Sequence, residues 1–345
     1  MENVVLFDVY EGGTAVITLN RPKALNSLSY DMVKPIGEHL TKWAMDEQVK
    51  VVIVKGAGEK GFCAGGDIKT LYEARKNDEA KATAMQFFEE EYKVDMQFYH
   101  YKKPIIAVLD GIVMGGGVGL TYGASHRIVT ERTKWAMPEM NIGFFPDVGA
   151  EYFLNKAPGH IGRYLALTAS VIPAQDVLFA NAADIFMQTE QLTAFLTAIE
   201  HTKWQGDSTA QLDSLIAQYA SQPADESVLQ TYEDAINKHF NFDNVEAIIA
   251  SLANDPSEFA QTTCKQLQSV SPSSLKITLK QIIDGQQKTM EECFATNLTL
   301  AKNFLTHADF YEGVRSVVID KDRNPNYKYK TLADFSDEAV TAFFK

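Results

Sequence analysis

The sequence predicts an α/β fold of repeated ββα-like units followed by a helical C-terminal region. Three observations carry that expectation. Two continuous apolar runs, residues 51–55 and Ile105–Leu109, have the character of strands buried on both faces of a sheet. Each leads through a Gly-rich loop to a helical stretch, and the two copies lie about 50 residues apart. Beyond Pro173 the apolar spacing becomes helical, and no glycine occurs from Ser208 to Asp284. A chain of 345 residues, 46% of them apolar, can bury a core on that scale. The expected organisation is a core over residues 1–200 and a helical region over 201–345 that covers or extends its pocket.

In chain order, residues 4–9 and Thr14–Leu19 are β-rich and separated by Glu11-Gly12-Gly13, which predicts an opening hairpin. Ser29 stands where a cap would start a helix to about Met45, with Met32, Ile36, Leu40 and Trp43 at helical spacing and Pro35 in its early part. After the strand at 51–55, Gly56, Gly58 and Gly61 match a dinucleotide-binding spacing. That site needs a helix opening at the third glycine, whereas Phe62-Cys63-Ala64-Gly65-Gly66 intervenes before an amphipathic helix over 67–75. Asp78–His100 reads as a long helix whose Glu89-Glu90-Glu91 run is, by itself, a solvated face. Short strands follow at 127–130 and 134–137, a loop at 141–149, and a helix at 150–167 broken at Pro158-Gly159. Ser271 caps a later helix with Pro272 in its first turn and Leu275, Leu279 and Ile282 as a buried stripe. The two Gly-rich turns fall at the same edge of the predicted sheet, where open parallel sheets place ligands.

The net charge of −13 argues against binding nucleic acid or an anionic membrane. Cys63, Cys264 and Cys293 form neither a disulfide framework nor a CxxC pair. The N-terminal MENVVLFDVYEGG has no targeting character and no apolar run approaches a bilayer span, so the expected setting is soluble and cytoplasmic. No GxSxG or HExxH is present, and the seven histidines show no metal spacing. There remain the triple glycine at 115–117 and two carboxylates after proline, Glu139 and Asp147. Backbone N–H groups at such turns can stabilise the oxygen of a reacting thioester, and loss of one donor typically costs about a hundred- to a thousand-fold in rate. The bland alternatives are close helix packing at the glycines, an ordinary loop carboxylate at Glu139, and a helix N-cap at Asp147.

The succession FCAGGDI, KPIIAVLDGIVMGGGVGL and AMPEMNIGFFPDVGAEYFL resembles the crotonase (enoyl-CoA hydratase/isomerase) superfamily. With SPSSLKITLKQI and FYEGVRSVVIDKDRNPNY it looks more closely like the 3-hydroxyisobutyryl-CoA hydrolase branch, over nearly the whole chain. The resemblance implies a crotonase-like ββα superhelix with a helical C-terminal region. It implies an oxyanion hole from the N–H groups of Gly66 and Gly116, a catalytic Glu139, and Asp147 and Glu91 as pocket carboxylates. Ala64 and Asp67 would belong to the Gly-rich turn, with Asp67 orienting it, and the segment from Arg21 through Lys23 and Ala24 would lie against coenzyme A.

Hydratases of the superfamily carry a second catalytic glutamate two positions after the triple glycine, where this chain has Gly119. The resemblance therefore implies hydrolysis of a 3-hydroxyacyl-CoA thioester, as in valine breakdown, with Glu139 as nucleophile or base. The implied partners are the acyl-CoA and water, with no metal and no cofactor beyond the substrate's own coenzyme A. Homo-oligomerisation is left open. The alternatives are an enoyl-CoA isomerase using Glu139, less readily a hydratase, and a non-catalytic acyl-CoA-binding protein.

Overall fold

The computed structural model describes residues 3–345; Met1 and Glu2, the start of the stretch read above for targeting signals, lie outside them. The chain divides into two interleaved compact units. One comprises the chain up to Gly66 with Glu90–Trp135 and Ile172–Ser227, and the other Asp67–Glu89, Ala136–Val171 and Val228–Lys345.

Among the described residues the first unit is built on nine strands, whose last residue in one case, Ala136, passes the boundary. They are β1 (Val5–Val9), β2 (Thr14–Leu19), β3 (Val51–Gly56), β4 (Gly61–Cys63), β5 (Ile105–Leu109), β6 (Ile112–Met114), β7 (His126–Val129), β8 (Lys134–Ala136) and β9 (Ile185–Phe186). A six-stranded sheet runs β1-β2-β3-β5-β7-β9. The hairpin is antiparallel, with Val5 opposite Leu19 and Val9 opposite Ala15, and every later pairing is parallel. Val51 to Val54 and all of β5 are buried, as the continuous apolar runs require. Alternate residues on one face, Val51 and Ile53 with Ile106 and Val108, pack against Phe195 and Ile199 of the Thr189–Glu200 helix and Leu212 of the Ser208–Ile216 helix.

A second sheet of three short strands, β4-β6-β8, was not expected at β4 or β6. Each has only three residues, too few for a period-2 signal to separate from the glycine-rich surroundings. Parallel pairing of β4 with β6 sets both Gly-rich turns at the same end of this sheet. Closeness of backbone is needed here, since a Cβ on Gly61 would lie 2.5 Å from Ile112 N.

Helix Tyr30–Met45 forms as expected, with Pro35 inside it. Ser29 takes the N-cap position, but its side chain makes no capping bond. The amphipathic stretch at 67–75 is a five-residue helix, Ile68–Tyr72, followed by a 3-10 turn. In the second unit, Ala150–Leu154 and Ile161–Thr168 flank the expected break, where Gly159 has φ +51°. The Pro272–Gly285 helix is capped by Ser271 Oγ accepting from Ser274 N and buries Leu275, Leu279 and Ile282. The expected α/β fold of ββα-like units with a helical C-terminal portion is the architecture found.

Candidate active site

In the first unit, two turns bring backbone N–H groups together. β4 runs into Gly65, φ +96°, and β6 into Gly115, φ +49°, both in the half of torsion space that glycine enters freely. A Cβ on Gly116 would lie 3.4 Å from Gly66 N, and one on Gly65 3.5 Å from Gly116 N. Gly116 opens the Gly116–Tyr122 helix, so its N–H has no partner within it. Among the described residues, neither the Gly66 nor the Gly116 N–H donates to a backbone carbonyl. Ala64, half-buried, spends its own N–H on Leu25 O at 3.0 Å. Gly119 is buried inside the short helix.

Glu91 belongs to the same unit and its carboxyl packs against Gly116, where a Cβ would collide with Oε1. It is 2% exposed, against the solvated face read from its triple-Glu run. The helical period explains the difference: Ala84, Phe87, Phe88, Glu91, Asp95 and Phe98 fall on one buried face, while Glu89 is exposed. Asp95, one turn beyond Glu91 and equally buried, was not singled out from the sequence. Burial pushes the Cys63 thiol up to about 12, and the charges of Glu91 and Asp95 add to it, so Cys63 is no thiolate nucleophile.

Lys23 and Ala24 lie exposed on a 3-10 turn, Pro22–Ala24, that borders a cavity of about 320 Å³. Leu25 and the Ala57, Glu59 and Lys60 segment line it as well. Asn26 ties the two sides together. Its Nδ2 donates to Ala57 O at 3.0 Å and Gly61 O at 3.1 Å, and its Oδ1 accepts from Arg21 N at 2.9 Å. The bonds hold Leu25 and Asn26 at φ +51° and +55°, torsions that non-glycine residues seldom adopt. Asn26 also escaped the sequence reading, although asparagine tolerates this region best among ordinary residues.

In the second unit, Glu139 begins a 3-10 turn, Glu139–Ile142, directly after Pro138. It is 7% exposed, and Asp147 6%. Burial, and then the charge of Asp147, raise the Glu139 carboxyl well above the usual range. Among the described residues its Oε2 has no hydrogen-bond partner. After Asp147 the chain passes through Val148, φ +51°, and Gly149, φ +76°. The N-cap position of the following helix is held by Gly149 and not by Asp147. Asp67 occupies the N-cap of the Ile68–Tyr72 helix and makes no capping bond to it.

The geometry thus assembles Gly66, Gly116 and Glu91 in one unit, and Glu139 with Asp147 in the other. A sequence model described as enoyl-CoA hydratase/isomerase matches residues 14–344. The chain belongs to the enoyl-CoA hydratase/isomerase family. Within that family it is 41% identical over 342 residues to a mitochondrial 3-hydroxyisobutyryl-CoA hydrolase of Danio rerio, covering 99% of this chain and 89% of the relative. Identity to the mitochondrial enzyme of the same name from Rattus norvegicus is 41% over 337 residues, 97% of this chain and 87% of the relative. Among solved family structures, a carnitinyl-CoA dehydratase from Mycobacterium thermoresistibile superposes with a TM-score of 0.93 at 34% identity, over 100% of this chain and 97% of the other.

Proposed function

We propose that this chain hydrolyses the thioester of a 3-hydroxyacyl-CoA, most simply 3-hydroxyisobutyryl-CoA, to the free 3-hydroxy acid and coenzyme A. The observation that carries the reading is the buried pair Glu139 and Asp147, in a chain 41% identical to hydrolases named for that substrate. A carboxylate whose ionisation is disfavoured by burial is a stronger base and nucleophile once ionised than one in water.

In the proposed mechanism a Glu139 oxygen attacks the thioester carbonyl, and the Gly66 and Gly116 N–H groups stabilise the oxyanion. Collapse of the adduct expels the coenzyme A thiolate, which takes up a proton, and leaves a mixed anhydride on Glu139. Water then attacks the anhydride, releasing the 3-hydroxy acid and restoring Glu139. Alternatively Glu139 takes a proton from water and the hydroxide attacks the thioester directly. Asp147 accepts the hydrogen bond of the 3-hydroxyl. Glu91 backs the Gly116 turn, and the cavity beside Lys23 and Ala24 receives part of coenzyme A. The reaction as written needs no metal or redox group. Of the compartments, we favour a reducing one for this chain, since Cys63, Cys264 and Cys293 are all unpaired and buried.

The family also contains hydratases and dehydratases, and Gly119 stands where two-carboxylate chemistry would want an acid. Purified protein mixed with 3-hydroxyisobutyryl-CoA should release free thiol, followed with a chromogenic disulfide, and Glu139→Gln should not. Absence of thiol release, with loss or gain of an enoyl chromophore instead, would transfer the assignment to hydration or dehydration.

A further inference from the structure

The turn that carries Asp147 is strained and gripped on both sides. Val148, β-branched and 1% exposed, has φ +51°, a torsion such residues hold only when their surroundings enforce it. Pro146 O, just before Asp147, accepts from Gln281 Nε2 at 2.7 Å. Gly149 N, just after it, donates to Asn297 Oδ1 at 2.8 Å. Both amides converge on one carboxylate: Gln281 Nε2 also donates to Glu151 Oε2 at 2.8 Å, and Asn297 Nδ2 donates to Glu151 Oε1 at 2.7 Å. All three side chains are 0% exposed. The Pro272–Gly285 helix has a glycine where the stem of Glu151 passes, since a Cβ on Gly285 would lie 2.6 Å from Glu151 Cβ and Cγ.

We propose that Glu151, Gln281 and Asn297 form a positioning brace that sets the Asp147 carboxylate, a role that rests on the hydrolase reading above. The logic lies in amide orientation. Two carboxylate oxygens that only accept oblige each amide to present its NH₂ to Glu151. Asn297 must then turn its oxygen to Gly149 N, and Gln281 keeps a second hydrogen for Pro146 O. Gln281 Oε1, which has no partner among the described residues, is left over from that arrangement. Cys293, near Glu151, and Lys288 are the other titratable neighbours of the carboxyl. The amides favour its ionised form against the dominant effect of burial, which raises it to about 7.

The test is a set of variants assayed for thiol release above neutrality, where Glu151 is ionised. Glu151→Gln places an NH₂ against one of the two amides and forces a flip. The expected result is at least about a tenfold loss of kcat/KM, comparable to the loss of a supporting hydrogen-bond partner elsewhere, together with a reduced preference for 3-hydroxyisobutyryl-CoA over isobutyryl-CoA. Adding Asn297→Asp restores the donor and acceptor pattern, because the new carboxylate accepts from both Gly149 N and the amide introduced at position 151, and most activity should return. In an Asp147→Asn background Glu151→Gln should cost less than about twofold more, since coupled sites do not add. Multiplying losses, or unchanged substrate preference in a folded Glu151→Gln protein, would overturn the brace. If that variant does not fold, Gln281→Met takes its place in the same cycle with the same expected coupling. Should the wild type release no thiol, the hydrolase reading falls by itself. A crystal structure of the variant then decides the brace, supporting it if residues 146–149 move and sinking it if they stay.

Discussion

The Glu91 carboxyl occupies the space that a side chain on Gly116 would need. Gly116 is therefore fixed as glycine by a neighbouring acid as well as by its proposed role as donor. Gly116→Ala is expected to lower kcat/KM about a hundred-fold or more, the cost of a displaced oxyanion donor. Steady-state thiol release, with circular dichroism to verify folding, measures it. Near-wild-type turnover by the folded variant would remove Gly116 from the oxyanion site.

The place of Glu91 shows how far the sequence could be read. The buried strands, the hairpin and the two Gly-rich turns were legible because apolar runs and glycines act locally. Glu139 and Asp147 were legible as two carboxylates for one pocket, but the rise that Asp147 imposes on Glu139 was not, since it depends on shared burial. Glu91 came forward only through the family resemblance, because composition hid it: a triple-Glu run looks solvated, although its third member lies three and four positions after Phe88 and Phe87. Asn26, Glu151, Gln281 and Asn297 gave no local signal. Besides the nearby Arg21 N, the partners of Asn26 are Ala57 and Gly61, and the Glu151 bonds to Gln281 and Asn297 span more than a hundred positions. Such contacts are a property of the assembled chain.

In the proposed mechanism Glu139 must be ionised to attack, and its carboxyl is raised by burial and by Asp147. Thus kcat/KM should fall as pH falls through a value well above the ordinary glutamate range of about 4.3. Asp147→Asn removes the like charge, so the acid limb should move to lower pH even as the rate on the hydroxylated substrate drops. A pH profile of both proteins checks this. An acid limb that stays in place would show that Asp147 does not tune Glu139.

The same raised carboxyl has a stability cost of opposite sign. A folded pKa above the unfolded one means the native state binds the proton more tightly, so Glu139 costs stability increasingly as pH rises from the unfolded toward the folded value. Glu139→Gln should therefore abolish turnover yet raise stability at neutral pH by roughly 1 kcal/mol, or about 1–2 °C in Tm for a chain of this length. The gain should vanish below about pH 4. Glu151, pushed up to about 7 mainly by burial, acts in the same direction. His307, pushed down to about 4 mainly by burial, acts oppositely, because its unfolded form takes the proton first as pH falls below about 6.5. Calorimetry of the wild type and Glu139→Gln across pH isolates the Glu139 share, and a Tm lowered at neutral pH would contradict it.

Asn26 tests the other end of the proposed substrate. Its side chain makes two hydrogen bonds to the Ala57 to Gly61 segment and accepts a third from Arg21 N within its own turn, and the two left-handed residues beside the cavity sit among them. Asn26→Ala leaves Ala57 O, Gly61 O and Arg21 N without this partner, at a cost of about 1–3 kcal/mol for each group that stays buried and unsatisfied. The turn should relax to reach solvent, since Pro22, Lys23 and Ala24 are already exposed and little packing opposes the movement. None of the proposed chemistry runs through this segment. KM for the acyl-CoA should accordingly rise about tenfold with kcat changed less than about threefold, the signature of lost uniform binding. A truncated pantetheine thioester, which lacks the nucleotide, separates the possibilities: its KM should be the same in both proteins if the cavity holds the nucleotide end. Equal losses in kcat on both substrates would instead place the effect of Asn26 on the Gly-rich turn, through Gly61 and β4, and would remove the cavity from the coenzyme A path.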